Sequence, residues 1–259
     1  MSEYKIVFLG DICGKPGREA VCTFLPEIIR QHQPLFTIVN GENSANGVGI
    51  TPDIADALYA AGADGITLGN HAFNKKDIEP YLDKGKPIVR PWNMPPGVPG
   101  KGWAKIKKDG IELAIVNICG RVFLDGYDDP FQAIEYILPE LQGCHVFIDF
   151  HAEATSEKIA FGYHVDGRAT AVVGTHTHVT TADECVLTGG TAYITDVGMC
   201  GPMNSVLGMD VDVVLKRFRT SMPTRFEVGR GPSVISGVVI CVNRDTGRAT
   251  SINRIRLTE

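Results

Sequence analysis

The chain has 259 residues, 44% hydrophobic and 21% charged, the balance of a globular protein with a substantial core. Its formal net charge of −5 gives no pull toward a nucleic-acid backbone or an anionic membrane, and no apolar stretch reaches the ~18 residues of a membrane helix. The 7 cysteines include no CxxC pair, and the N-terminus MSEYKIVFLGD enters an apolar run without an export signal, so reduced thiols and one cytoplasmic domain spanning 1–259 are expected.

In chain order, YKIVFLG (4–10) is an apolar run ending in glycine, and a helical pattern follows over 17–32 with Ala20, Phe24 and Ile28 four apart. LFTIVNG (35–41) is the next run. Thr51-Pro52-Asp53 opens a helix as N-cap and first-turn proline. GITLGN (65–70) follows, and Asn74 is placed to cap a helix through Leu82. RPWNMPPGVPGKG (90–102) is a loop, either a lid or a divider between two similar halves. KGWAKIKKDGIELAIVN (101–117) reads as a hairpin turning at Asp109-Gly110, with Lys101, Lys105, Lys107 and Lys108 on a solvated face. AIVNICG (114–120), HVFIDFH (145–151) and TAVVGTH (170–176) are further strands, and 233–257 is a hairpin turning at Thr246-Gly247. Strand–helix alternation plus hairpins makes a mixed α/β fold around a largely parallel sheet. No aromatic-plus-basic stripe of a long-RNA binder is read, so direct nucleic-acid binding is not expected.

The chemistry lies where the apolar runs end: Gly10-Asp11, Gly41-Glu42-Asn43, Gly69-Asn70-His71, Asp149-Phe150-His151 and Gly174-Thr175-His176-Thr177-His178. Ligands of open α/β sheets bind beyond the carboxyl ends of the strands, so five ends present carboxylates, amides and imidazoles toward one rim. Unpaired, such groups would repel and be costly to desolvate; a pair of cations removes the conflict. His176 and His178, two apart at the end of a buried strand, are expected to face one way because both bind metal. Imidazole with carboxylate and amide oxygen favours Fe, Mn or Zn, and two metals need a bridging carboxylate, Glu42 or Asp11.

GD, GEN, GNH, H and GTHTH in this order resemble the calcineurin-like metallophosphoesterase superfamily. Two departures mark one branch: Cys13 stands where the usual histidine does, and Glu42 replaces the bridging aspartate. With FIDFHAEATSEK (147–158), TDVGMCGPMNSVLG (195–208) and PTRFEVGRGPSVISGV (223–238), the chain resembles the YmdB-like bacterial phosphodiesterases from about residue 4 to residue 257. The resemblance implies an α-β-β-α sandwich of two mixed sheets flanked by helices, and two metal ions, iron foremost, manganese or zinc as alternatives. It implies Asp11, His178 and Asn43 on the first metal, Asn70, His151 and His176 on the second, and Glu42 between them. His71 resembles the catalytic histidine, off the metals. Phosphodiester hydrolysis of small cyclic nucleotides, 2′,3′ and also 3′,5′, is implied, by a hydroxide bridging the metals with His71 as general acid. The family's self-association makes a homo-oligomer the expectation.

Alternatives stand beside this reading. Cys13 is either a buried thiol or a ligand, and Asn43 either a ligand or a hydrogen-bond partner of Glu42. GDICGKPG (10–17) matches neither phosphate-loop pattern. Amidohydrolases and metallo-β-lactamase-like enzymes open with an early HxH, whereas here Asp11 comes first. A low-turnover nucleotide sensor on the same fold is the alternative to an enzyme, motivated by the missing histidine at Cys13.

Overall fold

The computed structural model describes residues 2–259. The elements run β1 (Glu3–Leu9), β2 (Asp11–Ile12), α1 (Gly14–His32), β3 (Phe36–Asn40), α2 (Pro52–Ala60), β4 (Gly65–Thr67), α3 (Glu79–Leu82), β5 (Ile88–Val89), β6 (Trp103–Lys108) and β7 (Ile111–Cys119). They continue α4 (Pro130–Ile137), β8 (His145–His151), α5 (Thr155–His164), β9 (Ala171–Thr175), β10 (Cys185–Val186), β11 (Ala192–Ile194), β12 (Met199–Pro202), α6 (Val211–Thr220), β13 (Ser233–Asn243) and β14 (Ala249–Thr258).

Two sheets result. In the first, β1, β3, β4 and β5 are parallel, β13 runs antiparallel between β1 and β14, and the short β2–β12 pair joins the start of β13 through β12. The second has the order β10-β11-β9-β8-β7-β6, parallel in its centre and antiparallel at both edges.

Period-2 alternation explains the layering even though the central strands are apolar on both faces. In β1, Ile6 and Phe8 point into a core between the sheets, where they meet Leu113, Ile115 and Phe147 of the second sheet. Val7 and Leu9 point the other way, onto Ala20, Val21, Leu25 and Ile28 of α1. Likewise Ala114, Val116 and Ile148 pack against Ile134 and Ile137 of α4 and Phe161 of α5. Three apolar layers thus hold four structural ones, the expected α-β-β-α sandwich.

Local signals behave as their chemistry requires. The Thr51 hydroxyl accepts the Ile54 N–H, with Pro52 at the first position of α2. Asp109 and Gly110 both take left-handed φ, 47° and 76°, making the two-residue turn that pairs Lys108 with Ile111. Asn74, in contrast, caps nothing: a 3-10 turn begins at Lys76 and α3 at Glu79, and the Asn74 side chain faces His71 instead. The 90–102 segment carries the chain from one sheet to the other, as a divider between two halves would. Buried Arg90 fastens it, donating to the carbonyls of Pro91, Trp92, Pro99 and Gly100. Arg90→Ala is expected to cost about 2–3 kcal/mol, the scale of a charged hydrogen-bonding group lost from such a cluster, read by chemical denaturation.

Candidate metal centre

The polar strand ends converge on one rim that spans both sheets. From the first sheet, Asp11 lies in β2, Glu42 and Asn43 follow β3, and Asn70 and His71 follow β4; from the second, His151 closes β8, and His176 and His178 follow β9. Asp11, Glu42, Asn43 and His151 are buried, the other four half-buried.

Around His151 Nε2 stand Glu42 Oε1 at 3.1 Å, Asn70 Oδ1 at 2.9 Å and His176 Nδ1 at 3.1 Å. Glu42, His151 and His176 offer ligand atoms all within 4.8 Å of one another. The other carboxylate oxygen of Glu42 accepts the His71 N–H at 3.0 Å, so His71 clamps Glu42 by its backbone while its ring stands 3.4 Å from the side chains of Asn70 and Asn74. On the other side, His178 Nε2 lies 3.3 Å from Asn43 Oδ1. Asp11 Oδ2 accepts the His176 N–H at 3.1 Å, and Asp11 Oδ1 is buried with no hydrogen-bond partner.

Hydrogen-bond donors behind the site decide which lone pairs face into it. The Thr175 hydroxyl donates to Asp149 Oδ1 at 2.6 Å and so accepts from His151 Nδ1 at 2.8 Å, which turns His151 Nε2 toward Glu42 and Asn70. The Leu207 carbonyl takes the Nδ1–H of His178 at 2.9 Å, and Asn43 spends its amide N–H on the Gly47 carbonyl at 3.0 Å. An imidazole lone pair and an amide oxygen are thereby set face to face. Converging acceptors of this kind, with an orphaned buried carboxylate oxygen among them, require shared protons or cations. The donor set, oxygen and imidazole nitrogen, fits divalent transition metals.

The electrostatics place one such shared proton on His151, whose Nε2 faces Glu42 Oε1. Burial pushes the Glu42 carboxyl up, but the His151 imidazolium and the His71 N–H outweigh it and hold it down at about 2. Burial opposes the charge on His151, yet Glu42, Asp11 and Asp149 raise it to about 9. Burial and the neighbouring His151 charge push His176 down to about 3, and burial raises Asp11.

The histidine pair departs from the expectation of a strand. β9 ends at Thr175, and both His176 (φ 96°) and His178 (φ 64°) take left-handed backbone, rare for such residues. They turn to different partners, His176 to His151 and His178 to Asn43 and Leu207. A buried ion pair over-determines this loop: Lys158 Nζ lies 2.6 Å from Asp196 Oδ2 and donates to the Thr175 carbonyl at 2.7 Å, while Asp196 Oδ2 accepts the Thr177 N–H at 3.1 Å. Asn40 joins the sheets, its amide N–H 2.9 Å from Asp149 Oδ2. Asn40, Thr175, Lys158 and Asp196 escaped sequence reasoning; polar residues inside otherwise apolar strands were the available signal for the first two.

Cys13 and His164 fall outside the cluster, and Asn43 lies within it but not against Glu42. The Cys13 thiol is buried at the start of α1, where burial and Asp11 push it up to about 12, and it is not in the metal-competent group. Asn43 turns to His178 and Gly47, not to Glu42. His164 pairs with Glu135 at 2.8 Å on the helical side of the second sheet.

The profile of a family described as YmdB-like protein matches residues 7–255. The 2′,3′-cyclic-nucleotide 2′-phosphodiesterase of Bacillus subtilis (strain 168) is 49% identical over 257 residues, covering 98% of this chain and 97% of that protein. The crystal structure of a hypothetical protein from Thermus thermophilus superposes with a TM-score of 0.93 at 41% identity, covering 98% and 99% of the two chains. That of a Mycoplasma pneumoniae phosphatase reaches 0.94 at 35% identity, covering 100% of this chain and 95% of the other. With the profile spanning nearly the whole chain and relatives this similar end to end, the chain belongs to the YmdB-like family.

Proposed function

We propose that the chain is a metal-dependent phosphodiesterase that hydrolyses cyclic nucleotides, 2′,3′-cyclic ones foremost and 3′,5′-cyclic AMP as a second substrate. Phosphoester hydrolysis is the activity that its relatives' names carry. The observation behind the metal reading is the convergence of Glu42, His151 and His176 on one rim, with the buried Asp11 Oδ1 left without a hydrogen-bond partner. Asp11, Asn43 and His178 would hold one ion, Asn70, His151 and His176 the other, with Glu42 serving both. Two such ions supply Lewis-acid stabilisation of phosphoryl charge and acidify water.

The chain's own residues then position and protonate. Glu42, clamped by the His71 N–H, keeps its carboxylate ionised inside a buried site. The Asp149–Thr175 relay holds the His151 proton on Nδ1 and leaves Nε2 free to ligate. His71, half-buried at the rim with its ring outside the metal-competent group, would act as the general acid that gives a proton to the leaving oxygen.

The test compares His71→Ala with wild type on bis-p-nitrophenyl phosphate and 2′,3′-cyclic AMP, with metal analysis of the same preparations. Turnover should fall ~10²–10⁴-fold, the usual worth of a general acid, at unchanged metal content. Unchanged turnover would remove His71 from the chemistry; absence of hydrolysis by wild type with any divalent ion would favour the sensor.

A further inference from the structure

The segment 211–230 departs in character from the rest of the molecule. It carries five basic and two acidic residues, a net +3 in a chain of −5, leaving −8 elsewhere. Within it α6 and the irregular segment 221–227 stand on a base formed by the Met209–Val228 bridge and the Asp210 N–H to Glu227 carbonyl bond. That base stands on the rim just described: the Leu207 carbonyl holds His178, and Met209 and Val228 pack over Gly47.

On this arm Lys216, Arg217, Arg219 and Arg225 are all exposed, and among the described residues none has a carboxylate within ion-pair distance. Phe218 and Phe226 are 80% and 50% exposed and stack on no other ring. Each aromatic is flanked by arginine: Lys-Arg-Phe-Arg (216–219) and Arg-Phe (225–226). Unpaired cations interleaved with open aromatic faces are the means by which proteins hold single-stranded nucleic acid, phosphates on the cations and bases on the rings. A helix that buries only Val214 leaves Lys216, Arg217, Phe218 and Arg219 all exposed around it.

We propose that the substrate is the 3′ end of an RNA strand closed as a 2′,3′-cyclic phosphate, with the upstream nucleotides lying along the α6 arm. The proposal rests on the phosphodiesterase reading and extends its substrate class. A ten-residue helix is about 15 Å long, over which a strand stacked at ~3.4 Å per nucleotide presents about four phosphates. At the terminus, the oxygen of water bonds to phosphorus, the P–O2′ bond breaks, and the 2′ oxygen takes up the proton, leaving a 3′-phosphomonoester. The reaction that must supply this substrate is RNA cleavage by attack of the neighbouring 2′-hydroxyl.

The experiment measures kcat/KM of the metal-loaded full chain on 2′,3′-cyclic AMP and on an unstructured ten-nucleotide RNA ending in a 2′,3′-cyclic phosphate. Anisotropy of a labelled 3′-phosphate decamer is followed in parallel. The decamer should be preferred about tenfold or more at low salt, with the preference shrinking as salt rises. Arg217→Glu/Arg219→Glu and Phe218→Ala/Phe226→Ala should each abolish the preference and weaken decamer binding about tenfold, leaving the mononucleotide rate within twofold. Equal rates on both substrates in wild type would overturn the proposal. So would variants that slow both substrates alike while lowering the mass measured by light scattering, which would make the arm a contact between copies of the chain. If wild type hydrolyses neither substrate, the phosphodiesterase reading fails, and the anisotropy still decides whether the arm binds RNA.

Discussion

Lys158→Met should destabilise the protein by about 3–5 kcal/mol and strip metal from the site, although Lys158 itself ligates nothing. The side chain is 1% exposed and its partner Asp196 is wholly buried. Removing one member of such a pair leaves an uncompensated buried charge, which is where a loss of that size arises. The second effect is local. Lys158 and Asp196 together hold the Thr175 carbonyl and the Thr177 N–H, the two ends of the turn in which His176 takes its left-handed conformation. Without them that turn relaxes toward ordinary backbone and His176 leaves Glu42 and His151. The double variant Lys158→Met/Asp196→Leu separates the effects: removing both charges should restore much of the stability, while the Thr177 and Gly198 N–H groups that Asp196 held remain unpartnered and metal content stays low. Full recovery of metal content in the double variant would show that the pair serves stability alone.

Gly69→Ala should be close to inactive while remaining folded. A Cβ at this position would lie 2.3 Å from Glu42 Oε2 and 2.5 Å from His151 Nε2, distances no carbon adopts. The backbone is held on both sides, by the Leu68 N–H to Val89 carbonyl bond and by the Ala72 N–H to Gly69 carbonyl bond, so the side chains must give way. Displacing Glu42 and His151 by about 1 Å is worth about 10²-fold in rate, and a reduced metal stoichiometry should accompany it. Circular dichroism and denaturation distinguish this from unfolding. Wild-type turnover in Gly69→Ala would mean that the Glu42–His151 approach is looser than the structure has it.

Much of the architecture was legible because its causes are local. Short apolar runs closed by glycine or polar residues make strands, Thr51-Pro52 starts a helix, and Asp109-Gly110 turns a hairpin, since these follow from backbone sterics and from hydrogen bonds between near neighbours. Asn74 was misread for the converse reason: an N-cap is worth about 1 kcal/mol, and the His71 loop uses that side chain otherwise. The arm at 211–230 was missed because charge and aromatic content state nothing about exposure until α6 has chosen which side to bury.

The sequence by itself determined the order of the strand-end donors, from Asp11 through Glu42, Asn70 and His151 to His178, and with it the kind of chemistry, because strand direction sends each run's last residues to the same edge. Only the tertiary structure decided which donors meet. The register that sets Cys119 beside His151 and His151 beside Thr175, the approach of the two sheets that brings Glu42 to 3.1 Å from His151, and the buried Lys158–Asp196 pair that bends the His176 turn all join residues far apart in the chain. Such contacts depend on the packing of whole layers, and no local property of the residues concerned specifies them.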